Sequence, residues 1–482
     1  MKTTASLGML LALASAPALA AEDGRDAEIA SLRETVERLT RRIEALEAER
    51  APAVAAAQPV PGAAPPHAGA VSVQAPGQPS PSRPVPGAAA VDAMPALAKS
   101  PLPEHPTFDE DQDVVARADN ALPPGENDLD GFFLVGDGPT WLRLGGSARL
   151  HAMYDSDDAG VRDLLITSAI PVGAQSGQGS YHMHARSTRF TLEARRPTDH
   201  GWLRFVLQND FEGSGGSYGY NLLHAWGQLG NTYAGYGFSA FLDLDSAPDT
   251  LDVAGPGAMP FARVASVRRY VPLRNGNQLV FAAEHESAQV SADSGSVRDA
   301  MPNLVFAARH EGESGHVQAG ALLRLLAWRD PASRDEVLAG GVTVSGAWAA
   351  ASGDYLTWGG VAGRGIAAYV GDLGGIGLDA VVNGDGSLEP LDEWGGWVGY
   401  GHPWSGAWRS TVAYGRLYLQ RDETLATEAF RRSDYLAANL IYAPSRTWSW
   451  GLELSWGKLQ RQDGETGDVL RLQSSLRYDF IK

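Results

Sequence analysis

The end of this chain alternates with a period of two residues. Leu470, Leu472, Ser474, Leu476, Tyr478 and Phe480 fall on one side; Val469, Arg471, Gln473, Ser475, Arg477 and Asp479 fall on the other. Successive side chains of an extended chain point to opposite faces. The segment therefore reads as a β-strand with an apolar face ending in two aromatics and a polar face carrying two arginines. A strand greasy on one side and wet on the other suits the wall of an outer-membrane barrel, with lipid outside and a lumen inside. It also suits the last strand of a soluble sandwich, so the rest of the chain decides.

The 482 residues include no cysteine, which leaves no disulfide framework and no lipoprotein anchor. Lys2, an apolar run from Leu7 to Leu19 and the triplet Ala18-Leu19-Ala20 have the layout of a secretory signal removed after Ala20. That run is too short to cross a bilayer as a helix, and no later window holds ~20 consecutive apolar residues. An exported chain of this kind enters a membrane only as a closed barrel. The net charge of −18 argues against nucleic acid as a partner, because phosphate backbones select basic faces. Of the 39 basic residues, all but Lys2, Lys99, Lys458 and Lys482 are arginine. Arginine offers a planar fork for carboxylate and phosphate; a GC-rich genome would give the same bias.

Three segments follow the signal at 1–20. Within 21–50, Ile29, Leu32, Val36, Leu39, Ile43 and Leu46 are spaced 3, 4, 3, 4, 3, the a and d positions of a short periplasmic coiled coil. β-Branched a residues with Leu at d favour two strands, so a trimer would have to be imposed by the barrel; the alternative is a lone amphipathic helix resting on it. Residues 51–130 are rich in Pro and Ala, with fourteen prolines between Pro52 and Pro106, and read as a disordered linker. The acidic patch Asp109, Glu110, Asp111 and Asp113 reads as solvated charge. Residues 131–482 read as an all-β transmembrane barrel. Leu142, Leu144, Ala148 and Leu150 alternate with Arg143, Ser147 and Arg149; similar runs recur at 278–286, 303–311, 316–328, 408–420, 433–443 and 447–459. At roughly ten residues per crossing, this length accommodates a 16-stranded antiparallel barrel with long loops near 155–180 and 371–392. Trp394, Trp397, Tyr400, Trp404, Trp408, Trp448 and Trp450 lie near strand ends, where an aromatic girdle meets the lipid interface.

Several motifs resemble one family. They are His224-Ala225-Trp226, Gly235, Ser239-Ala240-Phe241-Leu242-Asp243, Pro248-Asp249-Thr250-Leu251-Asp252, Gly255-Pro256, Arg263 and Arg269-Tyr270. A second group is Tyr400-Gly401-His402-Pro403-Trp404 with Arg409-Ser410-Thr411. Together with the order of signal, coiled coil, linker and barrel, they resemble the DcaP-like trimeric porins and, more distantly, the phosphate-selective porins. The resemblance implies a homotrimer in outer-membrane lipid that passes small anionic solutes such as dicarboxylates. The chain departs from the family at Tyr236-Gly237, at the paired Arg268-Arg269, and in ending past its last aromatic.

In such a channel the working parts are lumen charges and constricting loops. Strand parity selects Arg143, Arg149, Arg189, Arg204, Arg309 and Arg324, with Arg471 and Arg477 on the last strand; the resemblance adds Arg263, Arg268 and Arg269. The loop from Ser246 to Pro260 sits where a constriction could fold inward. These arginines either form a ladder for anions or pair with lumen carboxylates such as Glu193, Asp210, Glu284 and Glu311 and stiffen the wall. An alternative function is an envelope tether, in which the coiled coil binds peptidoglycan or a partner.

No cofactor, metal or catalytic set is expected. Gly215-Gly216-Ser217-Tyr218-Gly219 matches a nucleophile elbow but lacks the strand-turn-helix setting. His182 and His184 share a strand face and could hold a metal, but no third ligand is evident in the sequence. Asn383-Gly384-Asp385-Gly386 starts like a calcium loop without its closing Glu and reads as a tight turn.

Overall fold

The computed structural model describes residues 116–117, 129, 131–136, 139–173, 177–213, 218–331 and 333–481. All belong to the compact unit Pro79–Lys482. The signal at 1–20, the coiled coil at 21–50, the acidic patch at 109–113 and the Gly215–Ser217 part of the elbow motif lie outside the described residues. So does the linker at 51–130, except Ala116, Arg117 and Leu129.

Nineteen segments hydrogen-bond into one antiparallel sheet. Two are short flaps, Phe133–Val135 and Ser296–Val297, and two others are halves of one interrupted strand. The remainder is a barrel of sixteen strands. They are β1 (Thr140–Asp155), β2 (Ser180–His184 continued by Arg189–Thr198), β3 (Gly201–Asp210), β4 (Asn221–Leu229), β5 (Thr232–Phe238), β6 (Arg263–Pro272), β7 (Asn277–His285) and β8 (Asn303–Gly312). The second half is β9 (Gly315–Arg329), β10 (Arg334–Ala349), β11 (Tyr355–Arg364), β12 (Asp392–Pro403), β13 (Trp408–Leu419), β14 (Phe430–Tyr442), β15 (Trp448–Arg461) and β16 (Thr466–Ile481). Strand β16 pairs back onto β1, Arg471–Ile481 against Gly146–Asp155, and closes the ring. The register shifts at Gly146, whose φ of +147° and lack of a side chain let the Arg189 carbonyl and the Phe480 ring sit against it.

The two faces of β16 separate as its alternation requires. Leu470, Leu472, Leu476, Tyr478 and Phe480 are exposed, whereas Val469, Arg471, Gln473, Ser475, Arg477 and Asp479 are buried. Exposed apolar side chains this dense would drive aggregation in water; in hydrocarbon they are the stabilising face. Short turns such as 199–200, 230–231 and 313–314 gather at one end, and the long connections 156–179, 239–262 and 365–391 at the other. In outer-membrane barrels the short turns are periplasmic. Trp394, Tyr400 and Trp404 are exposed, as a girdle requires. Trp397 is not part of it. It stands an odd number of residues from Trp394, so it points inward, is 4 % exposed and donates Nε1–H to the Ser246 carbonyl at 2.9 Å.

The apolar core lies inside the barrel and is built from loops. Phe241, Leu244 and Met259 pack with Ile366, Tyr369, Val370 and Leu373. The Phe241 and Tyr369 rings meet edge to face at 6.2 Å. A wide porin lumen is usually polar and wet; here three inward-folded connections fill much of it.

Candidate functional site

The second inward loop, residues 239–262, follows the inner wall almost all the way round. Ser239 Oγ donates to Glu284 of β7 at 2.6 Å. Asp243 accepts from Arg309 of β8 at 2.9 Å and from Ser345 of β10 at 2.8 Å, and it lies 2.8 Å from Nε2 of His316 of β9. Asp249 accepts from Arg409 of β13 at 2.7 Å. The Leu251 and Asp252 amides donate to Glu453 of β15, and Gln473 of β16 donates to the Leu251 carbonyl. The loop can lie this close because the wall beneath it carries glycine. A Cβ on Gly399 would stand 2.5 Å from Pro248, and one on Gly415 2.6 Å from Pro256.

Two residues ahead of the barrel take part. Arg117 donates to both oxygens of Asp245 at 2.8 and 3.1 Å. Its carbonyl accepts from Gln228 of β4 at 2.8 Å, and the Ala116 carbonyl accepts from Tyr270 of β6 at 3.0 Å. Both Gln228 and Tyr270 are buried inward-facing residues. The chain before the barrel is thus held inside its wall. Burial alone would raise the Asp245 carboxyl, but Arg117 and Arg309 more than offset this and hold it well below the ordinary range.

The first inward loop, residues 156–173, and the third, 365–391, meet the second in the interior. The Leu165 amide donates to Asp252 at 3.1 Å. The Asp372 and Gly371 amides donate to the Gly257 and Met259 carbonyls. Asp372 accepts from both the amide and the hydroxyl of Thr167, so this one residue joins all three loops. Burial pushes the Asp372 carboxyl up to about 6 despite the hydrogen bonds from Thr167.

Most of the arginines selected from the sequence face inward and are paired. Glu193, fully buried, binds Arg143 at 2.6 Å and Arg195 and Arg204 at 2.7 Å each. Arg268 lies 3.7 Å from Glu284 and over the Tyr233 ring. Arg309 binds Asp243, Asp245 and Glu311, and Arg324 binds Asp379 at 2.9 Å. Arg471 is bidentate on Asp155, at 2.6 and 3.0 Å, and Arg477 binds Asp479 at 2.7 Å. Arg269 departs from this set. Adjacent strand residues cannot share a face, and Arg269 is exposed on the outer side, where its NH1 donates to Thr232 at 2.8 Å.

A further group comes together where β16, β1, β2 and β6 approach one another. Arg149 stands directly opposite Arg477 across the β1–β16 seam, and Ser147 opposite both Arg189 and Asp479. Arg189 is within electrostatic reach of Arg263, Arg477 and Asp210. The Arg263 guanidinium lies over the Phe238 ring, 4.3 Å from its centre. Four guanidiniums, from Arg149, Arg189, Arg263 and Arg477, thus share one patch of inner wall. Sequence parity placed Arg149, Arg189 and Arg477 on the inner face. It does not show that Arg263 of β6 joins the three at the β16–β1–β2 seam.

The loop carboxylates Asp243, Asp245, Asp249 and Asp379 hold wall arginines. A loop has no period to mark such partners: Asp243 and Asp249 stand out in the sequence only as parts of the family-like motifs, and Asp245 and Asp379 not at all.

Residues 135–349 match the sequence pattern of the family described as DcaP outer membrane protein. The crystal structure of the outer membrane channel DcaP of Acinetobacter baumannii superimposes with a TM-score of 0.64 at 22% identity, covering 72% of this chain and 99% of that one. An anion-selective porin from Comamonas acidovorans gives a TM-score of 0.48 at 12% identity, over 71% of this chain and 100% of that one. No curated protein sequence matches the chain. The matched stretch runs from the flap before β1 to the end of β10 and includes the whole second inward loop. The stretch that carries this loop thus matches the DcaP outer membrane protein family, and the sixteen-stranded barrel as a whole has the fold of the DcaP channel.

Proposed function

We propose that this porin mediates passive, anion-biased uptake of small solutes of the dicarboxylate type, and that it works as a homotrimer. The gathering of Arg149, Arg189, Arg263 and Arg477 on one patch of inner wall carries this reading. A solute carboxylate meets several planar donor forks there and can pass from one to the next. The neighbouring Asp210 and Asp479 keep each contact weak enough to release. Arg149, Arg189 and Arg477 are buried. Solute therefore reaches them only when the packing around them opens. The trimer follows from the family resemblance of the sequence.

The test is single-channel current in a planar bilayer under a KCl gradient, then with succinate added. Anion-selective reversal, steps in threes and block by succinate support the reading. Cation selectivity that is unchanged in the Arg149→Ala/Arg189→Ala/Arg263→Ala variant would refute it.

A further inference from the structure

We propose that His182, His184 and Asp163 form a binding site for a divalent transition-metal ion of the zinc type. The two histidines stand two residues apart on the inward face of the first half of β2, and their rings are nearly parallel, with centres 6.0 Å apart. The first inward loop brings Asp163 over them. Its Oδ1 lies 3.4 Å from Nε2 of His182 and 3.7 Å from Nε2 of His184. The three ligand atoms all lie within 4.8 Å of one another. Zinc binds such atoms at ~2.0–2.2 Å, so two ligands on a tetrahedral ion stand ~3.4 Å apart. The two contacts to Asp163 are close to that edge length.

The nitrogens are also poised for a ligand. The His184 side chain is 6 % exposed, and neither its Nε2 nor that of His182 has a hydrogen-bond partner. A buried ring nitrogen left without a partner is costly, and an ion would remove that cost. The surroundings supply outer partners. Arg186 donates to the other oxygen of Asp163, Oδ2, and leaves Oδ1 turned to the imidazoles. Coordination through Nε2 requires the His184 proton on Nδ1. The Arg186 amide, now 3.3 Å from Nδ1, must then give way, and Nδ1–H turns to Glu212 Oε1, 3.9 Å away. The side chains of Asp163 and His182 are 13 % and 16 % exposed, which leaves a way in for the ion and a fourth position for water. The other buried His and Asp group, Asp243, Asp245 and His316, differs: its carboxylates already hold Arg309, Arg117 and Ser345.

The site would staple the first inward loop to the wall. The same loop reaches Asp252 through Leu165 and Asp372 through Thr167, so a bound ion favours the packed state of all three loops.

The test uses the full chain in detergent, stripped with a chelator, titrated with Zn2+ by calorimetry and with Co2+ by visible absorption. One ion per chain, with the intense bands of tetrahedral Co2+, is expected. Affinity should fall at least tenfold in Asp163→Asn and in His182→Gln/His184→Gln, and stay unchanged in His310→Gln. In the unmodified protein, Zn2+ should also shield His182 and His184 from diethylpyrocarbonate, a readout that needs no variant. Absence of binding, affinity indifferent to these three residues, or no shielding would overturn the proposal.

Discussion

Arg117 and Asp245 are separated by 128 residues and joined by two hydrogen bonds at 2.8 and 3.1 Å. The first precedes the barrel and the second lies in the loop that lines its inside, so one ion pair ties Arg117 to that loop. Arg309 also holds Asp245 at 2.6 Å, so removing Arg117 leaves that carboxylate paired. Arg117→Ala should therefore leave the barrel folded, because the cost of an unpaired buried charge is avoided. It should raise single-channel conductance, because the segment before the barrel loses its anchor. Planar-bilayer recordings at fixed voltage check this, and unchanged conductance would show that the segment does not obstruct the path.

Glu193 is the opposite case. Three arginines, Arg143, Arg195 and Arg204, converge on one fully buried carboxylate. Glu193→Ala leaves three cations facing one another, and removing one partner from a buried ionic group costs about 3–5 kcal/mol. The variant should unfold at lower temperature in detergent, followed by far-ultraviolet circular dichroism. Where it does insert, its anion-to-cation permeability ratio should rise.

Loop packing should depend on pH through Asp372. Its carboxyl is raised from 3.8 to about 6 in the folded state, so the packed loops hold the proton more tightly than an open chain does. Their packing is most favourable below about 4 and weakens as pH rises through about 6. A shift of this size separates the two protonation states by on the order of 3 kcal/mol. Burial also raises Asp252, in contact with the same three-loop junction, so its sign is the same. Conductance should be lower at pH 5 than at pH 7.5, and Asp372→Asn should remove most of that difference. An equal pH response in the variant would assign it to another group.

The wall was legible in the sequence because period two is a local signal. Alternation placed Arg204, Arg309, Arg324 and Arg471 on the inner face and Leu470 to Phe480 on the outer one, and the structure agrees. The errors came where parity was not applied. Residue type groups Trp397 with Trp394, and the family resemblance adds Arg269 beside Arg268; each stands on the opposite face from its supposed companion. The interior was less legible. The Ser246–Pro260 stretch reads as a loop fit to turn inward, but its partners Arg409, Glu453 and Gln473 lie 160 to 222 residues away. Asp163 could not be joined to His182 and His184 from spacing alone, because a loop without period decides where it lands.

Gly399 offers the sharpest test of whether the second inward loop sets the pore. It lies on the inner face of β12, and Pro248 packs where its side chain would be: a Cβ would stand 2.5 Å from Pro248 and 2.7 Å from Thr357 Oγ1. Thr357 belongs to the neighbouring strand and cannot retreat, so the loop must give way. Gly399→Val should cost about 1–3 kcal/mol by overpacking. That loss falls on the packed loop rather than on the outer face, where Val398 and Tyr400 meet lipid. The barrel should still assemble. With Asp249 displaced from Arg409, now 2.7 Å away, the constriction should widen. Larger conductance with a smaller preference for chloride over potassium would place the constriction at this loop. Larger conductance with selectivity unchanged would place the selective charges on the wall, at Arg149, Arg189, Arg263 and Arg477, and not on the loop.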